Sequence, residues 1–290
     1  MNYYKSKVPN DGGTSFYDGT PLLDEYFPKL ISGLCGHALH PLITLGFGLE
    51  FGFSSVIAEG LAYLSASYTP LGELYPSIPV DQHPLKCLDL LKSIRENPSF
   101  GNALKGYNKK EKKRGFQTRV AIVKENVGHL ICDVVNSTSI GSPLAALDDI
   151  SAAAVLLLTT PVSENKIDFF LLHIFTSCHA ARCVFAKLPE NLKEPFIRYY
   201  LQGLIYVYIA QEMPMVDSAP VFDSSNANWQ SVLARAVEVT DEHIPKVVAA
   251  LKQWEEHGVL HGLDENVYLG AAKLVEDLVG NGEGYSFLEQ

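Results

Sequence analysis

The sequence lacks the short motifs that mark the common cofactor-binding and hydrolytic folds. It contains no P-loop, no GxGxxG pattern after a predicted strand, no GxSxG elbow and no HExxH pair. These absences exclude a classical nicotinamide- or flavin-binding domain. The chemistry that the chain does carry is histidine placed on apolar helices.

The chain also lacks paired cysteines and long apolar runs. Its five cysteines lie mostly in apolar segments and never form a CxxC pair, which predicts buried thiols in a reducing compartment. The N-terminal residues have no apolar signal core. The longest apolar run, Ile150 to Thr160, has about half the length of a membrane span. The sequence therefore predicts a soluble, cytoplasmic protein that does not associate with a membrane.

Charged residues are few, and acidic ones dominate. Of the 290 residues, 19% are charged and 47% are hydrophobic, and the formal net charge is −10. An acidic chain repels phosphate backbones, so a nucleic acid is not an expected partner. The one basic run, Lys109 to Arg114, is predicted to be a solvated loop, with phosphate binding as the alternative.

Apolar residues recur at helical spacing along nearly the whole chain, and no stretch alternates apolar and polar residues as a half-buried strand does. This pattern predicts an all-α protein, with about ten helices in a single globular domain over residues 21–280. Residues 1–20 are predicted to be irregular, and residues 281–290 to form a loose tail. One helix is predicted over residues 164–187, and another, apolar nearly all round, over residues 197–210.

The segment from His37 to Glu50 is apolar, yet it carries two histidines and a glutamate. Pro41 fits the first turn of a helix and leucines follow it at helical spacing, which places His37 and His40 at the N-terminal end of a buried helix. From the residues alone, two interpretations stay open. The histidines are either satisfied in the core or at a helix cap, or they belong to a largely apolar ligand site.

Further histidines lie on other predicted helices. His173 belongs to a very apolar helix, and His179 follows six positions later on a different face, so these two do not form a chelating pair. His243 and Lys246 are three residues apart near a helix start, which places both on one face. The alternative is a structural histidine in the core at position 173 and an exposed first helical turn at position 243.

Four segments taken together resemble the questin oxidase-like family. They are Leu39–Glu50, Ala58–Ala62, Asp168–Ser177 and Asp241–Lys246, in the order in which the family has them. The family includes fungal and other oxygenases that act on anthraquinone-type polyketides, some by Baeyer–Villiger-type ring opening with NADPH as reductant. At least one member resembles a non-haem iron enzyme whose metal is held by four histidines and a carboxylated lysine.

The resemblance implies an oxygenase that uses O₂ to oxidise or cleave a ring of an aromatic polyketide or related phenolic ketone at a buried iron. The implied iron ligands, the last of them as a carbamate, are His40, His173, His243 and Lys246. The carboxylates implied to orient the ligand histidines are Glu50, Glu59 and Asp168. The implied partners are a small aromatic substrate and O₂, and the implied cofactors are iron and NADPH.

The chain departs from the family pattern in two places. Thr44 follows His40 by four residues, where family members usually have a second histidine. The family's N-terminal segment, which supplies another histidine, is expected to be missing. The resemblance therefore predicts a site with three histidines. Two alternatives stay open: a non-catalytic small-molecule-binding homologue with an incomplete metal site, and a helical scaffold whose histidines are structural.

Overall fold

The computed structural model describes most of the chain. The described residues are 2–7, 17–75, 85–108, 115–163, 166–217, 222, 224–260, 263–264, 266–279 and 284–286. Within them the protein forms twelve α-helices and very little strand, which confirms the all-α prediction. The basic run 109–114, predicted to be a solvated loop, lies outside the described residues.

The connections between the helices differ widely in length. They are α1 Asn2–Lys5, α2 Thr20–Leu30, α3 His40–Phe51, α4 Ser54–Ala66, α5 Cys87–Glu96, α6 Phe116–Ser137, α7 Pro143–Thr159, α8 Phe169–Phe185, α9 Glu190–Ala210, α10 Trp229–Ala236, α11 His243–His257 and α12 Val267–Val279. Short 3₁₀ helices lie at Ile31–Gly33, Gly36–Leu39 and Pro98–Phe100. The strands are β1 Pro161–Ser163, β2 Lys166–Asp168 and β3 Tyr285–Ser286.

The three strands form a small sheet that the sequence pattern did not predict. β2 pairs antiparallel with β1 and parallel with β3, with Ile167 opposite Tyr285 and Asp168 opposite Ser286. The helix predicted over residues 164–187 therefore begins after β2, at Phe169 rather than at residue 164. Strands of two or three residues are too short to show an alternating pattern, which is why sequence periodicity missed them.

The described residues include a short element near each end of the chain. The region 1–20, predicted to be irregular, contains helix α1, where the Tyr4 ring lies edge-on to the Tyr26 ring at 5.0 Å. The region 281–290, predicted to be a loose tail, contains β3, which β2 holds in place. Helix α1 and strand β3 pack against other elements, and such long-range contacts leave no periodic signal in the sequence.

Helix α9 lies at the centre of the core, as its nearly continuous apolar sequence predicts. Every residue from 200 to 210 is buried. Three tyrosines in this range are at most 1% exposed, and their hydroxyls reach main-chain carbonyl groups, so they pack the core. The pairs are Tyr200 with Ile174, Tyr206 with Leu71 and Tyr208 with Pro214.

The apolar run from Ile150 to Thr160 lies at the end of helix α7 and is mostly buried against the other helices. Within the described part of the chain, no helix combines the length and the apolar character that crossing a bilayer requires. The run is therefore accounted for by packing in the core.

Helices α3, α8 and α11 run side by side in the same direction. Near their N-terminal ends His40 lies by His173, and further along Glu50 lies by His179 and Trp254 lies by Phe175. Gly46 permits the close approach of α3 to α8, because a Cβ atom there would lie 2.4 Å from the Cβ of Ala180. This packing brings the N-terminal ends of the three helices together.

Candidate metal centre

Three histidines from three different helices converge at these N-terminal ends. His40 and His243 are the first residues of α3 and α11, and His173 lies in the second turn of α8. The Nε2 atoms of His40 and His173 are 3.2 Å apart, and the rings of His173 and His243 have centroids 5.1 Å apart. One ring nitrogen from each residue lies within 4.8 Å of the other two. His173 and His243 are buried, and His40 is half-buried.

Two main-chain carbonyl groups fix the protonation of two of these rings. His40 Nδ1 is 2.7 Å from the carbonyl oxygen of His37, and His173 Nδ1 is 2.7 Å from that of Phe169. A carbonyl oxygen only accepts hydrogen bonds, so both Nδ1 atoms carry the proton. In a neutral imidazole the other nitrogen, Nε2, then presents a lone pair. Metal-binding histidines show the same arrangement, with the second nitrogen donating to an acceptor.

The two Nε2 lone pairs of His40 and His173 therefore face each other across 3.2 Å. Two bare acceptors at this distance repel unless a cation lies between them. A proton is disfavoured there, since burial lowers the pKa of His173 to about 3 and also lowers the pKa of His40. Two imidazoles bound to one ion are expected to place their nitrogens about 3.0–3.4 Å apart, given metal–nitrogen bonds of about 2.1 Å. The donor set thus fits a divalent metal ion.

The third ring is oriented by a carboxylate. Asp241 Oδ1 accepts the His243 main-chain N–H at 2.8 Å and the His243 Nδ1–H at 3.0 Å. Burial acts to raise the pKa of Asp241, but its hydrogen bonds and the charge of His243 together outweigh burial, and the net pKa is lowered. Asp241 is therefore an anion that holds the proton of His243 on Nδ1 and leaves Nε2 available.

The turn before α3 holds His40 in place by means of a strained backbone. His37, Ala38 and Leu39 have φ of 47°, 55° and 68°, three consecutive non-glycine residues in the left-handed region. Each such residue costs roughly 1–2 kcal/mol relative to the right-handed conformation. With its amide oxygen facing the main chain, Gln117 accepts from the N–H groups of His37 and Ala38 at 3.2 Å. The turn points the His37 carbonyl at His40 Nδ1, and strain of this kind is concentrated at functional sites.

Lys246 lies one turn after His243 on α11 and is half-buried. Its positive charge contributes to the lowered pKa of both His40 and His173, although less than their burial does. Lys246 is therefore close to the three-histidine cluster. An ammonium group beside a metal cation is repelled by it, so the lysine must change its charge or its position when a cation binds.

The comparison with known proteins adds family membership to this geometry. The questin oxidase-like family matches residues 1–251, a span that contains all three histidines and Lys246. The chain belongs to the questin oxidase-like family.

The chain is similar to three fungal proteins. The chain is 48% identical over 279 residues to the Baeyer-Villiger oxidase ptaJ of Pestalotiopsis fici, which covers 88% of this chain and 61% of the relative. It is 23% identical over 306 residues to the Baeyer-Villiger monooxygenase AacuH of Aspergillus aculeatus, covering 88% and 60%. A shorter match, 39% identical over 75 residues, is to the Baeyer-Villiger oxidase notM of an Aspergillus species, covering 24% and 17%. The chain thus spans about three fifths of the length of the first two.

In this questin oxidase-like chain, the carboxylates predicted to orient the ligands lie elsewhere. Glu50 is at the far end of α3 against His179, Glu59 is exposed on α4, and Asp168 caps α8. The acceptors that do hold the three rings are the carbonyl groups of His37 and Phe169 and the carboxylate of Asp241. Asp241 has a signal in the sequence, since it precedes His243 by two residues. Main-chain carbonyl groups have none.

A second cluster contains Glu50, His179 and Cys183, whose potential ligand atoms also lie within 4.8 Å of one another. Here Trp254 Nε1–H donates to His179 Nδ1 at 3.1 Å, so the His179 proton must be on Nε2. That Nε2–H donates to Glu50 Oε2 at 3.0 Å. Both ring nitrogens are thus engaged, and His179 has no free lone pair for a metal. These hydrogen bonds connect α3, α8 and α11 further along the helices than the three-histidine cluster.

Asp168 fixes the start of the helix that carries His173. Its Oδ1 accepts the main-chain N–H groups of Phe170 and Leu171 at 2.8 and 2.9 Å, as a helix N-cap does. With its amide in the matching orientation, Gln211 donates to Asp168 Oδ2 at 2.9 Å. Burial nonetheless raises the pKa of Asp168 to about 6.

The raised pKa of Asp168 predicts a pH-dependent stability. Its unfolded pKa is about 3.9, so the folded chain binds more protons between about pH 4 and 6. The contribution of Asp168 to the unfolding free energy therefore falls as the pH rises through this window. Asp168→Asn keeps the capping oxygen and removes the ionisation. Its unfolding free energy relative to wild type should rise by about 2–3 kcal/mol between pH 4 and pH 7, as measured by urea denaturation.

Asp18 provides a control of opposite sign. Hydrogen bonds from Thr20 lower the pKa of Asp18 to about 2, so Asp18→Asn should lose relative stability as the pH rises through the acid range. If the unfolding free energies of wild type and Asp168→Asn changed in parallel with pH, the prediction that folding raises the pKa of Asp168 would be wrong.

Proposed function

We propose that the chain is an oxygenase that uses O₂ to oxidise or cleave a ring of an aromatic polyketide or related phenolic ketone at a single non-haem iron. The proposed ligands are His40, His173 and His243, together with a carboxylated Lys246. One observation carries the proposal: the Nε2 lone pairs of His40 and His173 face each other at 3.2 Å, and a cation bound between them would remove their repulsion. The names of the relatives, Baeyer-Villiger oxidases and a monooxygenase, support the reaction class.

The ligand set suits iron in its ferrous state. Neutral imidazoles and one anionic oxygen ligand bind Fe(II) and leave coordination positions open. When bound, the iron would supply the redox chemistry that makes O₂ reactive toward an organic substrate. The carbonyl groups of His37 and Phe169 hold two imidazoles in the tautomer that leaves Nε2 free.

Carboxylation of Lys246 resolves the charge conflict at the site. As an ammonium, Lys246 repels a cation bound by the neighbouring histidines; as a carbamate it attracts the same ion through an anionic oxygen. The one-turn separation from His243 places both side chains on the same face of α11. One oxygen of the nearby Asp241 carboxylate already accepts the His243 Nδ1–H, and a carboxylated Lys246 is the proposed source of the anionic ligand.

Aromatic side chains lie beside the three-histidine cluster and the turn that precedes α3. The Phe169 ring packs on His173 at 4.6 Å and on His243 at 5.0 Å, and Tyr63 lies edge-on to His37 at 5.5 Å. Aromatic rings beside a site suit a flat aromatic substrate. Insertion of one oxygen atom from O₂ requires two electrons to reduce the other atom to water, and NADPH is the proposed donor.

An isotope experiment tests this function. Protein loaded with Fe(II) is mixed with a hydroxyanthraquinone and NADPH under labelled O₂. A product that contains one labelled oxygen atom is expected. Binding of the anthraquinone without O₂ consumption would instead identify a non-catalytic homologue and contradict the proposal.

A further inference from the structure

The C-terminal strand lies against the three-histidine cluster, although it is distant from it in sequence. β3 pairs with β2 immediately before α8: the Ile167 N–H donates to the Gly284 carbonyl at 2.9 Å, and Tyr285 stands opposite Ile167. This pairing fixes the main chain of Tyr285 beside the start of the helix that carries His173.

The side chain of Tyr285 reaches the carboxylate that orients His243. Its hydroxyl donates to Asp241 Oδ1 at 3.2 Å. The same oxygen accepts the His243 main-chain N–H at 2.8 Å and the His243 Nδ1–H at 3.0 Å. Three donors therefore meet at one carboxylate oxygen, and each of them restricts rotation of the carboxylate.

The ring of Tyr285 makes a second connection to the cluster. It lies edge-on to Phe169 at 5.3 Å and to His243 at 6.0 Å. Phe169 in turn contacts His173, and its carbonyl oxygen faces His173 Nδ1. Tyr285 thus touches the supports of two of the three histidines.

We propose that Tyr285 is a positioning residue of the metal centre. By holding the Asp241 carboxylate against His243 Nδ1, it keeps the proton of that ring on Nδ1 and the Nε2 lone pair free for the metal. This inference rests on the proposed metal site. The family match ends at residue 251, so Tyr285 lies outside the region by which membership is recognised.

Cobalt(II) titration tests the proposal without relying on activity. Tyr285→Phe keeps the ring and removes the hydroxyl. Its Co²⁺ affinity, measured by competition with a chelator, should fall roughly 10-fold, the effect typical of a lost group that orients a ligand. Tyr268→Phe is the matched control, because the Tyr268 hydroxyl accepts only from the distant Leu260 N–H among the contacts described. Its Co²⁺ affinity should equal that of wild type.

A double-mutant cycle identifies the route of the effect. If Tyr285 acts through Asp241, Tyr285→Phe should cause no further loss of Co²⁺ affinity in the Asp241→Ala background. Equal losses in both backgrounds would contradict the proposed route. An unchanged affinity of the single variant Tyr285→Phe would overturn the proposal.

Nitrogen NMR of the metal-free protein gives a second readout. The wild-type His243 ring should be in the Nδ1–H tautomer, and Tyr285→Phe should show a mixture of tautomers. If wild type binds no Co²⁺, the proposed function fails, and this tautomer shift alone decides the role of Tyr285. The same tautomer population in both proteins would then reject that role.

Discussion

His173→Ala should lower the affinity of the protein for Fe(II) or Co²⁺ by more than roughly 100-fold, beyond the effect of losing a group that only orients a ligand. His173 is the most deeply buried of the three histidines, at 1% exposure, and its Nε2 faces that of His40. Its removal leaves two imidazoles, too few to hold the ion together with Lys246. The measurement is competition with a chelator, followed by the labelled-oxygen assay.

His129→Ala is the matched control for this variant. His129 is exposed on α6, so its loss should leave metal affinity and activity unchanged. Thermal unfolding of the metal-free proteins separates binding from folding. A His173→Ala protein that is destabilised but retains full metal affinity would show that His173 is a structural residue.

Lys246→Ala should abolish iron retention and turnover, because it removes the proposed anionic ligand. Added bicarbonate or a short carboxylic acid should partly restore metal binding, since either can occupy the vacated oxygen position. Iron content after desalting, with and without the added acid, measures both effects. The rescue is specific, because a lysine that merely packed against the site would not be replaced by a soluble carboxylate.

Lys252→Ala is the control on the same helix. Lys252 is bonded to Glu255 at 2.8 Å and lies within 3.5 Å of Glu256, so it pairs with acids on its own helix. Its removal should leave iron content unchanged. Full iron occupancy in Lys246→Ala, without any added acid, would show that Lys246 is not a ligand.

Helical periodicity predicted most of the fold, but it did not predict how the helices meet. The apolar spacing on α3, α9 and α11 marked helices correctly, because each buries a continuous apolar face. Periodicity carries no information on the contact between His40 and His173, which are 133 residues apart. Only the family resemblance selected these two, together with His243, from the other histidines.

Two of the three groups that orient the histidines could not be predicted from the sequence. Main-chain carbonyl groups orient His40 and His173, and every residue has one, so no residue type marks them. The left-handed turn at residues 37–39 uses no glycine, the residue that usually signals such a backbone. Glu50 was predicted to orient a ligand because it lies on the same helix as His40. The ten-residue separation instead places it about 15 Å away, next to His179.

The iron content of wild-type protein purified without oxygen tests the metal centre most directly. About one iron per chain is expected, removable by a chelator and lost in His173→Ala. The cluster of Glu50, His179 and Cys183 should add no second ion. The Trp254 N–H donates to His179 Nδ1, so the His179 proton lies on Nε2 and neither nitrogen is free to bind a metal. Protein that neither retains iron nor binds added Fe(II) or Co²⁺ would contradict the metal centre, and with it the proposed oxygenase.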